Sequence, residues 1–382
     1  MLVPASRLKL LKKAAVLAAV RHKPGVSRRE LARQLESTDS NLSRITRELI
    51  ADGFLLERAT SPKAVRGRPN VGLYLNGTNI FLLCIVLSKY EQKISIINLL
   101  GQRIVEDIVS GELDNLAVNL LKKCSEITDR LASQPNLGYR KLCGIELVSS
   151  PDLNIPGELD IEAWLSVLAS EIETRFFAPV SRAAIADALH IAETRQEAII
   201  PKSPSIMVHA GFSIDVSLIV VTENSSRSTF EGRLDKLKTI YDPVSNCWQP
   251  LDTVASAGAV LKRLGHLDQM DGSGQDGLRL GVPHAIRQAN ARDRRATLIF
   301  RDAGEAVGAA IAGLLAILSP AHVILAGPLS AAAPFIGGIT SALSENEGAS
   351  QCSVTIDISK LSDLRAAELA GLEALVFSSP WL

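Results

Sequence analysis

From Leu8 to Val20 apolar and alanine positions dominate, and Pro24-Gly25 follows, a pattern that predicts a first helix with a break behind it. Ser27-Arg28-Arg29-Glu30 has the spacing of a capping box, in which the serine hydroxyl accepts from an orphan helix amide and the glutamate accepts from the serine amide. A short second helix through Leu31, Ala32 and Leu35 is expected. Ser37-Thr38-Asp39 can cap a third helix that runs to about Asp52 and stops at Gly53. At ~100° per residue, Leu42, Ile45 and Leu49 share one side of that helix. Ser40, Ser43, Arg44 and Arg47 share the other, with Asn41 on its flank. Phe54-Leu55-Leu56 and Leu73-Tyr74-Leu75 read as two strands joined by a loop that carries Lys63, Arg66 and Arg68. Three helices, a tight turn and a ribbon with a basic loop predict a winged helix-turn-helix, an α+β domain over residues 1–75.

Beyond Asn76 short apolar runs alternate with helical stretches. Strands are expected at Ile80 to Leu87, Ile94 to Leu99, Gly144 to Val148, Ser205 to Ala210, Ser217 to Val221 and His322 to Ala326. Helices are expected over 114–133, 160–175, 183–195, 251–264, Asp302 to Leu318, and 362–376. This alternation predicts an α/β body over residues 76–382.

Composition changes this picture in one respect. The formal net charge is zero, yet residues 1–70 carry 15 Lys and Arg against 6 Asp and Glu, while the other 312 residues carry 26 against 35. A basic module is fused to an acidic body. A basic segment can be a disordered arm, a membrane-surface helix or a folded nucleic-acid module, and the helix pattern selects the last. The candidate DNA-contact residues are Ser27, Arg28, Ser40, Asn41, Ser43, Arg44 and Arg47, with Lys63, Arg66 and Arg68 from the loop. Serine and asparagine can reach base edges, and arginine can bond guanine bidentately or hold phosphate. A solvated helix presents a similar face. The capping box, the short turn, the basic loop and the charge together favour double-stranded DNA as the partner. No apolar run approaches the ~20 residues of a membrane span and no signal peptide is evident, so a cytoplasmic location without a membrane partner is expected. The five cysteines, Cys84, Cys124, Cys143, Cys247 and Cys352, lack close pairs and are expected to be reduced and mostly buried.

Three segments carry a resemblance: Gly67-Arg68-Pro69 with Leu73-Tyr74-Leu75-Asn76, Ile96-Ile97-Asn98-Leu99-Leu100-Gly101, and Ser319-Pro320-Ala321-His322-Val323-Ile324-Leu325-Ala326-Gly327. With the layout they resemble the repressor branch of the ROK family (repressors, open reading frames and sugar kinases) over nearly the whole chain. The resemblance implies an actin-like, ribonuclease H-type sugar-kinase fold with two lobes around a sugar cleft. It also implies a carbohydrate effector, a homodimer or homotetramer, and two DNA-binding modules on a two-fold operator.

Departures from the family's pattern limit what carries over. ROK kinases have an Asp-x-Gly-Gly-Thr phosphate turn where this chain has Val86-Leu87-Ser88-Lys89-Tyr90. Their catalytic Asn-Asp pair precedes an Ala-Glu by eight residues, and Ala192-Glu193 puts that pair at Ala184-Ile185. Isoleucine cannot deprotonate a sugar hydroxyl. Asp187, two positions on, would supply the base only if the correspondence shifts by two residues, and its plainer reading is a solvated helix carboxylate. The family's Glu-x-x-His falls on Asp235 and Lys238, and of its cysteine cluster only Cys247 remains. No catalytic residue, no metal site and no cofactor are therefore expected. Asp235 is the one ligand-binding candidate, against the plainer reading of an exposed loop carboxylate. The leading expectation is a transcription regulator, a repressor of carbohydrate-related genes without kinase activity. Its rivals are an active sugar kinase with an added DNA-binding domain and a protein-interaction platform on an eroded ROK body.

Overall fold

The structure, a computed structural model, describes residues 5–59, 71–89, 92–109, 115–133, 141–153, 160–196, 204–221, 227–234, 236–242, 246–266, 275–318, 322–346 and 354–378. The chain opens with α1 (Ala5–His22), α2 (Arg28–Gln34) and α3 (Asp39–Ala51), then β1 (Leu55–Ala59) and β2 (Val71–Leu75). The two strands form an antiparallel ribbon that sets Leu55 opposite Leu75 and Ala59 opposite Val71.

A first lobe follows, with β3 (Ile80–Leu87), β4 (Gln92–Asn98), β5 (Arg103–Ile108), α4 (Leu116–Ala132), β6 (Lys141–Ser149), α5 (Ile161–Phe176) and β7 (Val180–Ala184). Helix α6 (Ile185–Gln196) leads to a second lobe. Its elements are β8 (Ser205–Ala210), β9 (Ile214–Val221), β10 (Arg227–Arg233), β11 (Lys238–Asp242), β12 (Cys247–Pro250), α7 (Asp252–Ala255) and α8 (Ala257–Leu264). After these come α9 (Gln275–Asn290), α10 (Arg294–Leu318), β13 (His322–Ala326), α11 (Ala333–Asn346) and β14 (Thr355–Ile358). The last helix, α12 (Asp363–Leu372), continues as a π-helical turn over Glu373–Phe377.

The two lobes repeat one topology. The first sheet has the order β5-β4-β3-β6-β7, and the second β10-β9-β8-β13-β14. In each, three antiparallel strands are extended by two parallel ones. This is the two-lobed actin-like arrangement expected of the body.

Strand β3 shows why its residues are apolar on both faces. All eight are buried. Phe81, Leu83, Ile85 and Leu87 enter the core under α4 and α5. Ile80, Leu82 and Cys84 enter a second core that also holds Leu17, Leu31, Ile45 and Leu49 of the N-terminal helices. Alternation along one strand thus joins the body to the first module. Leu372, Leu375, Val376 and Phe377 close the same core from the C-terminal end. Arg21 of α1 lies 3.9 Å over the Phe377 ring and pairs with Glu373 at 3.1 Å. A third core, containing Val86, Met207, Ile324, Leu364 and Ala367, sits between the lobes.

Several elements differ from expectation. The helix expected over 183–195 begins only at Ile185, because Val180–Ala184 pairs in parallel with β6 as an edge strand. Asp187 is buried rather than solvated, since α6 packs between the lobes. The helix expected over 251–264 is divided at Ser256, whose extended backbone (ψ 157°) and hydroxyl cap α8 through the Ala259 amide at 3.1 Å. Strands β5, β10, β11, β12 and β14 and helices α9 and α11 have no counterpart in the sequence reading. Of the four described cysteines Cys84 and Cys124 are buried and Cys247 is exposed. No helix among the described residues is long and apolar enough to cross a membrane.

Candidate nucleic-acid interface and interlobe cleft

The turn between α2 and α3 is built by its caps. Ser27 forms the anticipated box: its amide donates to Glu30 Oε2 at 2.9 Å, and its hydroxyl accepts from the Glu30 amide at 3.3 Å. These bonds to Ser27, with Lys23 beside them, hold the Glu30 carboxyl down to about 2. Thr38 caps α3 through the Asn41 amide at 3.4 Å, and Gly53, at φ 83°, ends it. Leu42, Ile45 and Leu49 face inward as expected.

The outer face of α3 gathers five of the candidate residues. Ser40, Arg44 and Arg47 are exposed, and Asn41 and Ser43 are half-buried. Arg44 donates to Glu48 Oε1 at 2.7 Å and to Asn41 Oδ1 at 3.0 Å, while Asn41 donates to Ser37 Oγ at 3.1 Å. Arg47 folds back on its own helix, its Nε donating to the Ser43 carbonyl at 3.1 Å. Both guanidiniums lie against polar groups of their own helix, where a base edge or phosphate can exchange for an intrahelical partner. Arg28 is placed differently. Its Nε donates to Thr46 Oγ1 at 2.9 Å and its Nη1 pairs with Glu57, so it ties α2 to α3 and to the ribbon. Lys63, Arg66, Arg68 and Asp235 lie outside the described residues.

Between the lobes, Ala184 ends β7 and Ile185 is buried at the start of α6. Glu193 accepts from Ser359 Oγ at 2.6 Å, fastening α6 to the segment ahead of α12. A cavity of about 500 Å³ opens between Ser88 and Lys93 of the first lobe, Gly327 and Ser330 of the second, and Ser359 to Asp363. Among the described residues no group of three His, Cys, Asp or Glu could hold a metal ion.

A crystal structure of a ROK family transcriptional regulator, described as a homologue of the E. coli MLC protein, superposes with a TM-score of 0.74 at 18% identity and covers 98% of both chains. The chain shares the fold of that regulator over nearly its whole length. The Escherichia coli (strain K12) DNA-binding transcriptional repressor Mlc is 25% identical over 337 residues, 83% of this chain and 80% of Mlc. A ROK family glucokinase from Streptomyces griseus, in complex with glucose and AMPPNP, superposes with a TM-score of 0.56 at 14% identity, covering 76% of this chain and 97% of its own. The glucokinase accounts for about three quarters of the chain and the regulator for nearly all of it, a difference the size of the N-terminal module. No protein-family model matches the chain.

Two groups of residues in this fold escape the sequence reading. Arg29 and Arg33, a helical turn apart on α2, are exposed and pair with no carboxylate among the described residues. Their four-residue spacing is the signal that could have found them. His209, at the end of β8, is 3% exposed and lies 3.8 Å from Asp215 and 3.6 Å from Asp363. Burial works against its charge, but the two carboxylates prevail and lift its pKa to about 10. Ser213 donates to Asp215 at 2.7 Å, and Asp152, pushed up by burial, adjoins the group. The cluster joins residues from three distant segments, so no spacing announces it.

Proposed function

We propose that the chain is a DNA-binding transcription repressor, with residues 1–75 as a winged-helix DNA reader and residues 76–382 as a sensing and oligomerising body that does not transfer phosphate. The carrying observation is the outer face of α3, where Ser40, Asn41, Ser43, Arg44 and Arg47 line a polar surface on a basic module. Likeness to the repressor Mlc supports the reading. Residues at the start of α3 would contact bases in the major groove, Arg29 and Arg33 would grip phosphates, and the basic loop with Lys63, Arg66 and Arg68 would reach the adjacent groove. Ser27 and Arg28 position the two helices. A homodimer or homotetramer would present two modules to a two-fold operator. Such a repressor acts in the cytoplasm.

The effector we assign is a carbohydrate. Four hydroxyls, from Ser88, Ser330, Ser359 and Ser362, line the interlobe cavity, and its volume suits a small ligand. Kinase activity is disfavoured by Ile185, which offers no base.

The test is selection of genomic fragments by the purified protein at physiological salt, repeated with a panel of sugars and sugar phosphates. A palindromic site released by one sugar is the expected result. A site that no sugar releases overturns the effector assignment, and absence of any enriched site overturns the repressor reading.

A further inference from the structure

Where the module joins the body, Tyr74, Leu75 and Asn76 of one sequence motif and Leu99, Leu100 and Gly101 of another line a cavity of about 500 Å³. Its walls come from α1, the ribbon, the β4–β5 turn and α12, so it spans both parts of the molecule. The floor is aliphatic, with Leu75 and Leu372 buried, and Leu100 stands at the mouth with 52% of its surface exposed.

The polar side of the cavity is cationic. Arg21, Arg58 and Arg365 line it, and among the described residues no Asp or Glu does. Arg21 pairs with Glu373, and Arg365 donates to the Gly101 carbonyl at 2.7 Å and to Glu368 at 2.9 Å. Arg58 pairs with no carboxylate among the described residues and lies 5.7 Å from the centre of the Tyr74 ring. A guanidinium without a carboxylate beside an apolar cavity of this size calls for a planar anion with a hydrophobic body.

We propose that this cavity is a second ligand site, distinct from the interlobe cleft, that binds a small organic carboxylate. Its carboxylate meets Arg58, and its apolar part lies against Tyr74, Leu75, Leu100 and Leu372. The occupant touches the module and the body together and so adds to the contacts that hold one on the other. That consequence for DNA rests on the repressor reading, whereas the binding does not.

The experiment is a calorimetric titration of the full chain, without DNA, with 2-naphthoate and with octanoate. Saturable binding of at least one of them at one site per chain is expected. The exposed-site variants Arg58→Glu and Leu100→Glu should each weaken it by about tenfold or more, since either sets a negative charge against the anion. Arg301→Ala, on the exposed face of α10 in the second lobe, should leave it unchanged. Absence of saturation by both probes at millimolar concentration overturns the proposal, as does undiminished affinity in either charge variant. If Arg58→Glu instead lowers DNA affinity in a chain that binds neither probe, Arg58 is a phosphate contact and the cavity site is refuted. Failure to bind DNA alongside intact carboxylate binding would overturn the repressor reading and leave this site standing.

Discussion

Thr46 Oγ1 accepts from Arg28 Nε at 2.9 Å and donates to the Leu42 carbonyl at 2.9 Å, so one buried hydroxyl joins the two helices of the turn. Arg28→Ala removes the donor to that hydroxyl and takes the guanidinium from Glu57. A stability loss of about 1–2 kcal/mol is expected in urea unfolding, the scale of a charged hydrogen bond. Arg28→Lys should recover little, because lysine lacks the forked guanidinium. A variant with full stability and weakened DNA binding would make Arg28 a contact residue instead.

Arg44→Ala and Arg47→Ala are each expected to weaken operator binding by about 1–3 kcal/mol while leaving unfolding nearly unchanged. Arg29→Ala, Arg33→Ala and Arg68→Ala should act differently, each reducing the slope of log affinity against log salt by about one unit. Binding titrations across a salt series separate the two classes. Unchanged binding in both α3 variants sinks the recognition-helix assignment.

Glu146, on β6 beneath α12, is 1% exposed, and burial lifts its carboxyl from 4.5 to about 7. The folded chain therefore holds this proton more tightly than the unfolded one. The group's contribution is fully present below about 4.5, falls as pH rises through that value towards 7, and is lost above it. Glu146→Gln should raise stability at pH 8 by roughly 3 kcal/mol and leave it unaltered at pH 4. Unfolding curves at the two pH values check this.

His209→Leu removes the cation between Asp215 and Asp363 while keeping much of the volume. The buried Asp215 and the half-buried Asp363 lose the cation between them, and a loss of about 3 kcal/mol is expected by thermal or urea unfolding. A variant as stable as the parent would mean the cluster is neutral.

Gly304 marks where α10 and α11 touch backbone to backbone, since a Cβ there would lie 2.0 Å from the Phe335 carbonyl oxygen. Gly304→Val should destabilise the second lobe by about 3 kcal/mol or more. Gly313, on the same helix with nothing within 4 Å of its Cβ, is the control: Gly313→Ala should be neutral or stabilising.

The N-terminal module was largely legible because its signals are local. Ser27 and Glu30 are three residues apart, and the Leu42, Ile45 and Leu49 stripe falls within one helix. The repeated sheet topology was legible only through the family resemblance, since β8 pairs with β13 across more than a hundred residues. The end of strand β7 was read as helix because Ala183 and Ala184 lack β-branched character, and pairing with β6 decides the matter. Asp187 looked solvated because its neighbours in sequence say nothing of the second lobe that covers α6. The His209 cluster and the Arg58 cavity are assembled entirely by tertiary folding.

The core that Leu17 and Leu31 share with Leu82 and Phe377 has a consequence for how an operator is measured. A reading head on a loose tether adapts to many half-site separations, whereas one seated in the same hydrophobic core as its carrier keeps a fixed bearing. In a two-fold assembly of such chains, the ruler that sets the distance between half-sites is the body, and lengthening the Asn76–Asn79 junction would damage the protein before it widened the operator.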